Sequence, residues 1–247
     1  MDPFEQGLST PRLQPYLSAV GDRRDSAIEI YQLNLQLCAS LYPSLHLFEI
    51  VFRNQIHSAL EKEYQTGQDG RYWYDRPDLL KDLEVNSVEE AKKKTRERFK
   101  DPHKVADIDL PPRRIISELS FGFWTSLIAS KKYQPKIFNK CVKTIFPYAS
   151  NRERSFHSIT TYLKDSTSRL RNRIFHHEPI WKPRYKVREK HEHLCRLLGW
   201  MNPEILAWLQ TYDRFPAVYK DMVDRLAQLG ALAREKPIEV KRLRHKR

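Results

Sequence analysis

The sequence has little glycine, with only 7 residues in 247, and few clusters of turn-forming residues. Strand-like alternation of apolar and polar residues is hard to find. Together these shortages exclude a turn-rich sandwich or barrel and predict an all-α fold. Cysteine is also sparse. Cys38, Cys141 and Cys195 are odd in number and far apart, so no disulfide framework is expected and a reducing, cytoplasmic setting is. No apolar run approaches the ~18–20 residues of a spanning helix. The opening Met-Asp-Pro-Phe-Glu-Gln has neither a basic start nor an apolar segment, so neither a secretory signal nor a membrane association is expected. Negative charge is in short supply: 31 acidic residues face 44 basic ones, a formal net charge of +13. Such an excess favours phosphate polyanions or anionic membrane surfaces over acidic small molecules.

What is present is a helical pattern, with 40% hydrophobic and 11% aromatic residues, enough for a sizeable core. Residues 1–24, with Pro3, Pro11 and Pro15, read as an irregular lead-in. Residues 25–230 read as a single helical domain. Ser26 and Glu29 have capping-box spacing at its start. Pro43 is expected to break the first helix, and a second runs from about Ser44 to Tyr64. Arg71-Tyr72-Trp73-Tyr74 is expected to anchor a loop to the core. Ser87 and Glu90 open a charged helical excursion near 87–100, read as a solvated arm. Ile115 to Ile128 is expected to be one buried helix, in which Gly122 allows a neighbour to approach. Asn202 and Pro203 are expected to cap a helix with Ile205, Leu206, Trp208 and Leu209 facing inward. A last helix ends at Gly230, and residues 231–247 form a basic tail.

Chemistry concentrates in Leu170-Arg171-Asn172-Arg173-Ile174-Phe175-His176-His177-Glu178-Pro179-Ile180-Trp181, at the end of a helix expected from about Asn151. Phe156, Ile159, Leu163, Leu170 and Ile174 define its buried stripe. Asn172 and His176 fall on the opposite side, about 40° apart, with Asp165 and Arg169, and Arg171 lies on the flank. Pro179 ends the helix. Taken alone, these cations would equally well satisfy the last carbonyls and the dipole of a helix C-terminus.

The Arg171-x4-His176 spacing resembles the motif of the HEPN superfamily of ribonucleases. The longer string from Arg171 to Trp181 resembles its Abi-like, abortive-infection branch. Two further strings are similar to that branch: Phe48-Glu49-Ile50-Val51-Phe52-Arg53-Asn54, and Glu118-Leu119-Ser120-Phe121-Gly122-Phe123-Trp124. The resemblance implies a HEPN-like helical bundle with additional helices. It also implies a metal-independent endoribonuclease of a bacterial anti-phage or toxin–antitoxin system, requiring no cofactor. The ribose 2′-OH would attack the adjacent phosphate, leaving 2′,3′-cyclic phosphate and 5′-OH ends. Histidine suits the proton transfer and arginine the phosphate. His176 is assigned the first role and Arg171 the second, with Asn172 orienting either group. His177, Glu49 and Arg53 are candidate supports. Arg169, Arg173, Lys182, Arg184, Lys186 and Arg188 are candidate RNA-backbone contacts. One good motif per chain implies a homodimer with a composite site. A noncoding RNA, an antitoxin or a sensor protein is a further candidate partner. The alternative is an RNA-binding defence protein without catalysis. No metal site is expected. His191, His193 and Cys195 alternate, and alternate helical residues point about 200° apart.

Overall fold

The computed structural model describes residues 3–66, 71–164 and 169–232, and among these every regular element is helical. The predicted all-α class is therefore met. Twelve α-helices follow in order: α1 (Pro3–Leu8), α2 (Thr10–Leu17), α3 (Arg24–Glu63), α4 (Asp82–Arg96), α5 (Pro112–Glu118), α6 (Phe121–Ala129), α7 (Asn139–Ile145), α8 (Phe156–Tyr162), α9 (Arg169–Phe175), α10 (Val187–Met201), α11 (Pro203–Gln210) and α12 (Phe215–Gln228). Residues 3–8 and 10–17 are thus helical, not irregular. Tyr16 and Val20 are fully buried in the common core, and Pro11 sits in the first turn of α2, where a missing N–H costs nothing.

The bundle is built around α3, against which α2, α6, α7, α10 and α12 pack. This helix is 40 residues long and runs through Pro43 without the expected break. Ile30, Leu33, Leu37, Leu41, Leu45, Phe48, Phe52, Ile56 and Leu60 recur at three- and four-residue steps on both sides of the proline, and all are buried. A proline inside a helix costs about 3 kcal/mol. Each such buried side chain contributes roughly 2 kcal/mol, so a stripe that stays in phase across Pro43 outweighs the lost backbone bond. Among the described residues, α3 is the one helix long and apolar enough to cross a membrane. Here its apolar stripe is covered by the rest of the bundle.

The charged helix begins at Asp82, ahead of Ser87, whose hydroxyl instead donates back to the Leu83 carbonyl at 2.8 Å. It is not a solvated arm. Val88, Ala91 and Thr95 are buried, and the two charges buried with them are partnered. Lys92 Nζ lies 2.7 Å from Asp75, 2.9 Å from Glu89 and 3.4 Å from Asp107. Glu84 accepts from Ser126 at 2.6 Å, Lys132 at 2.8 Å and Tyr133 at 2.6 Å. Burial alone would raise the Glu84 carboxyl, but these donors outweigh it and hold the group below the ordinary carboxylate range. Trp73 is fully buried and its indole donates to His57 Nδ1 at 3.0 Å, so the Arg71–Tyr74 string anchors its loop as expected.

Three smaller expectations fail. The Ile115–Ile128 block is two helices divided at Leu119–Ser120, because Ser120 caps the second by accepting the Phe123 N–H. Gly122 has no close neighbour, its nearest being Ser120 Oγ at 3.6 Å from an added Cβ; the close approach occurs at Gly199, beneath Leu206. Trp208 is exposed on the outer face of α11, edge-on to Tyr212 at 5.1 Å. Asn202 does cap α11, its side chain accepting the Ile205 N–H at 3.0 Å.

Candidate functional site

Helix α9 holds the motif. Its inward residues behave as the periodicity requires: Leu170 is fully buried and Ile174 packs against the core, in line with Ile159 and Leu163 of the preceding turns. The helix expected from about Asn151 begins instead at Phe156, where Ser155 caps it by accepting the Ser158 N–H, and residues 165–168 lie outside the described chain, so Asp165 is not placed. Asn172 and His176 are exposed on the outer side.

The helix ends in a left-handed cap. His176 N–H donates to Asn172 C=O at 2.8 Å, His177 N–H to Ile174 at 3.0 Å and Glu178 N–H to Arg173 at 2.8 Å. The last two are the paired bonds of a Schellman motif, with His177 at φ +58 in the place glycine usually takes. Three ties hold this unusual cap. Arg12 of α2 donates to the His177 carbonyl at 2.5 Å. Arg173 bridges to Glu178 at 2.6 Å. The buried Asn34 side chain of α3 accepts the Ile180 N–H at 2.8 Å. Ile180 and Trp181 are buried beyond it, Trp181 against Tyr16. The second half of the motif string is therefore an anchor that fixes where the first half stands.

Arg171 lies on the flank of α9, and its side chain turns toward α3 and α6. Its Nε donates to Glu49 Oε1 of α3 at 2.5 Å. The guanidinium lies 4.7 Å from the Phe175 ring centre and 5.6 Å from that of Phe121. Phe121 opens α6 and packs edge-on against Phe48 of α3. One guanidinium thus joins α3, α6 and α9, with a carboxylate at its stem side and two aromatic faces around it. Glu49, Phe121 and Arg171 each come from a different one of the three motif-like strings. The pair is about one-third exposed, so the charge is accessible. Such a constellation can bind an oxyanion, and an imidazole open to solvent can exchange protons.

The remaining candidates separate. Arg53 is one turn further along α3, where its Nε donates to Asn54 at 3.2 Å. With His57 and Arg113 it lines a groove of about 730 Å³ that no residue of α9 lines. Burial pushes the His57 imidazole down, despite Glu61, in keeping with its role as acceptor from Trp73. Among the basic candidates, Arg173 stacks on Tyr185 at 4.2 Å, and Arg184 lies 5.0 Å from the same ring. Lys182 lies 5.2 Å from the Trp181 ring centre. Lys186 pairs with Glu189 and Arg188 with Glu192, each at 3.0 Å. Arg169 is exposed at the start of α9. Most of this basic segment is engaged with its own aromatic rings and carboxylates. Residues 233–247 of the basic tail lie outside the described chain.

Sequence reasoning missed Phe121 and Phe175 as neighbours of the arginine. Phe175 was findable, since it stands four residues after Arg171 on the same helical face.

A family model described as Abi-like protein matches residues 1–182, the span that contains all three strings. No curated protein and no solved structure gives a significant match.

Proposed function

This chain belongs to the Abi-like protein family, whose name denotes abortive-infection defence, and on that premise we propose that it is a metal-independent endoribonuclease of the HEPN type. The observation that carries the reading is the convergence of Glu49 and Phe121 on the one-third-exposed Arg171 guanidinium, in the same motif as the exposed His176. A purely structural cation at a helix end would need only its own carbonyls. Here a carboxylate and two rings from three elements orient it instead.

In this mechanism Glu49 grips Nε, and the two Nη groups of Arg171 are the donors assigned to the scissile phosphate. The ribose 2′-OH attacks the adjacent phosphorus. His176 takes that proton, or delivers one to the departing 5′-oxygen, and Asn172 orients the imidazole or the phosphate. The reaction needs both an acid and a base. With His177 assigned to the helix cap, each chain contributes His176 as its one proton-transfer group, so the second group comes from a partner copy across a composite site. His177 is assigned to the helix cap rather than to proton transfer, because its strained backbone and its carbonyl bond to Arg12 both serve that end. Arg53 carries no role in this site.

A second reading is favoured by one feature. Arg171 is already paired within its own chain, so the protein could hold an RNA by its basic surface without cutting it. A noncoding RNA, an antitoxin or a sensor protein would then be the working partner. Copurification of nucleic acid with wild type and with His176→Ala, followed by end analysis, separates the two. RNA carrying 2′,3′-cyclic phosphate ends only with wild type is the expected result. Intact RNA held equally by both proteins would establish the binder and sink the nuclease.

A further inference from the structure

Outside the matched region, α10 and the turn between α11 and α12 bring together three side chains that the ribonuclease reading does not use. His191 and Cys195 are four residues apart on α10 and share a face, and Asp213 reaches them from the turn. His191 Nε2 lies 2.9 Å from Asp213 Oδ2 and 3.6 Å from Cys195 Sγ, and the three donor atoms all lie within 4.8 Å of one another. We propose that His191, Cys195 and Asp213 form a zinc site that pins α10 to the α11–α12 turn.

Spacing is the first argument. With zinc bonds of about 2.0–2.3 Å, tetrahedral ligand atoms stand roughly 3.3–3.8 Å apart. The thiol–imidazole separation is already in that range, and the imidazole–carboxylate one needs to open by about half an ångström. Convergence is the second. In a nucleophilic triad the acid and the thiol address opposite ring nitrogens. Here both approach Nε2; the thiol is farther from Nδ1, at 4.0 Å. The carboxylate and the thiol, within 4.8 Å of each other, would close on the ion, and their shared approach to Nε2 suits a cation rather than a proton relay. The third argument is support around the ligands. Asp213 Oδ1 accepts the Phe215 N–H at 3.0 Å, which leaves Oδ2 to face inward. The His191 ring stacks on Phe215 with centroids 4.2 Å apart. Such fixed neighbours are what orient metal ligands.

Charge and softness select the ion. The His191 and Asp213 side chains are only 7% and 8% exposed. Zinc takes the Cys195 sulfur as thiolate, so the thiol must give up its proton on binding. Zinc binding would release that proton to solvent, and thiolate, carboxylate, neutral imidazole and Zn²⁺ then sum to zero charge. A thiolate–imidazole pair disfavours magnesium and calcium, which take oxygen ligands. The group opens onto a cavity of about 640 Å³ lined also by Arg188, Glu192 and Gln210. The fourth position would therefore be a water facing that cavity. His193 takes no part, since it packs edge-on to Tyr162 at 4.5 Å on the other side of α10. Alternate residues do point apart, as expected; the one-turn pair and the distant aspartate are what complete the set.

The test uses the full chain, stripped with chelator and titrated with Co²⁺ as the spectroscopic probe. One equivalent of cobalt with a thiolate-to-cobalt charge-transfer band is expected, displaced by zinc. Cys195→Ser should lose the band, whereas Cys38→Ser and Cys141→Ser should keep it. In unmutated protein, zinc should slow alkylation of Cys195 in peptide mapping and leave Cys38 and Cys141 unchanged, a readout that requires no variant to fold. Zinc should raise the Tm of wild type but not that of Asp213→Asn. Overturning results would be no cobalt uptake, uptake without the thiolate band (as at His176–His177), or a band that persists in Cys195→Ser. Each is independent of RNA cleavage.

Discussion

Two histidine sites at opposite ends of one short stretch of chain differ in what surrounds them. At the end of α9, His176 is open to solvent and Arg171, about one-third exposed, lies between Glu49 and two rings. Fifteen residues on, His191 is buried under Phe215 with a carboxylate and a thiol at the same nitrogen. Exposure would let the first imidazole trade protons with an RNA substrate in the proposed reaction, and a mobile proton is what phosphodiester cleavage requires. Burial denies this to the second, whose donors face each other and not a substrate. On these two proposals the same residue type would serve turnover in one place and cross-linking in the other. The difference lies in solvent access and in whether partners share a nitrogen.

The largest expected effect breaks this contrast at its open end. His176→Ala should lower RNA cleavage by about 10²–10⁴-fold, the usual worth of a positioned acid or base, with the melting temperature unchanged because the side chain is exposed. A variant that cleaves as well as wild type would remove the exposed histidine from the chemistry. At the closed end the expected change is in stability. In chelator-treated protein, Asp213→Ala should cost about 1–3 kcal/mol, since it orphans the Phe215 N–H and a buried imidazole. Cleavage by the folded fraction should be unaffected. Denaturant melts beside cleavage assays would show whether the two ends trade roles.

A buried carboxylate elsewhere sharpens the same contrast by pH. Glu84 is held below its ordinary range by Lys132, Ser126 and Tyr133. A depressed carboxylate adds stability above its unfolded pKa of about 4.3 and loses it as pH falls through the lower folded value. Wild type should therefore lose stability on acidification below about pH 4 more steeply than Glu84→Gln. Parallel acid arms in thermal melts would show that the network contributes nothing.

The open site was legible in the sequence and the closed one was not, for a physical reason. Leu170, Asn172, Ile174 and His176 sit on one helix, so a 100° step places them without knowledge of the fold. Glu49 entered only because its string was family-like, and geometry across 122 residues then set it on Arg171. Asp213 had no such local signal. It is carried to His191 by the turn between two helices, which periodicity does not see. The same limit explains the long-range errors. Prolines in the first 24 residues looked irregular because α2 is held by burial of Tyr16 against Tyr31 and Trp181, both distant in sequence. The α4 charges looked solvated because their partners, Asp107 and Lys132, lie on other elements. Pro43 is different. The three- and four-residue stripe continued through it in plain view, and a single-residue rule was weighed above nine buried side chains.

Glu49→Gln tests the support of the open site. An ion pair this exposed contributes less than about 1 kcal/mol after solvent screening. The melt should hardly move, while cleavage should fall through misplacement of Arg171. A variant that keeps full cleavage would make Glu49 a surface partner only, and Arg171→Lys, which keeps charge but loses the planar fork, would then be expected to keep activity as well.

The smallest effect is expected between the two sites. Lys186 and Arg188 begin α10 and could contact an RNA backbone, but each already rests on a carboxylate one turn away. Reaching a phosphate means leaving Glu189 or Glu192, so each should contribute less than a full counterion. In single-stranded RNA a full contact changes the slope of log affinity against log salt by about 0.7. Lys186→Ala and Arg188→Ala should each change it by less than that, with stability moving by under about 0.5 kcal/mol. A full step from either residue would mean that RNA displaces the carboxylate. Arg188 also lines the cavity beside His191, so a full step from it would carry the RNA path past α9 and up to the buried site, ending the separation of open and closed ends.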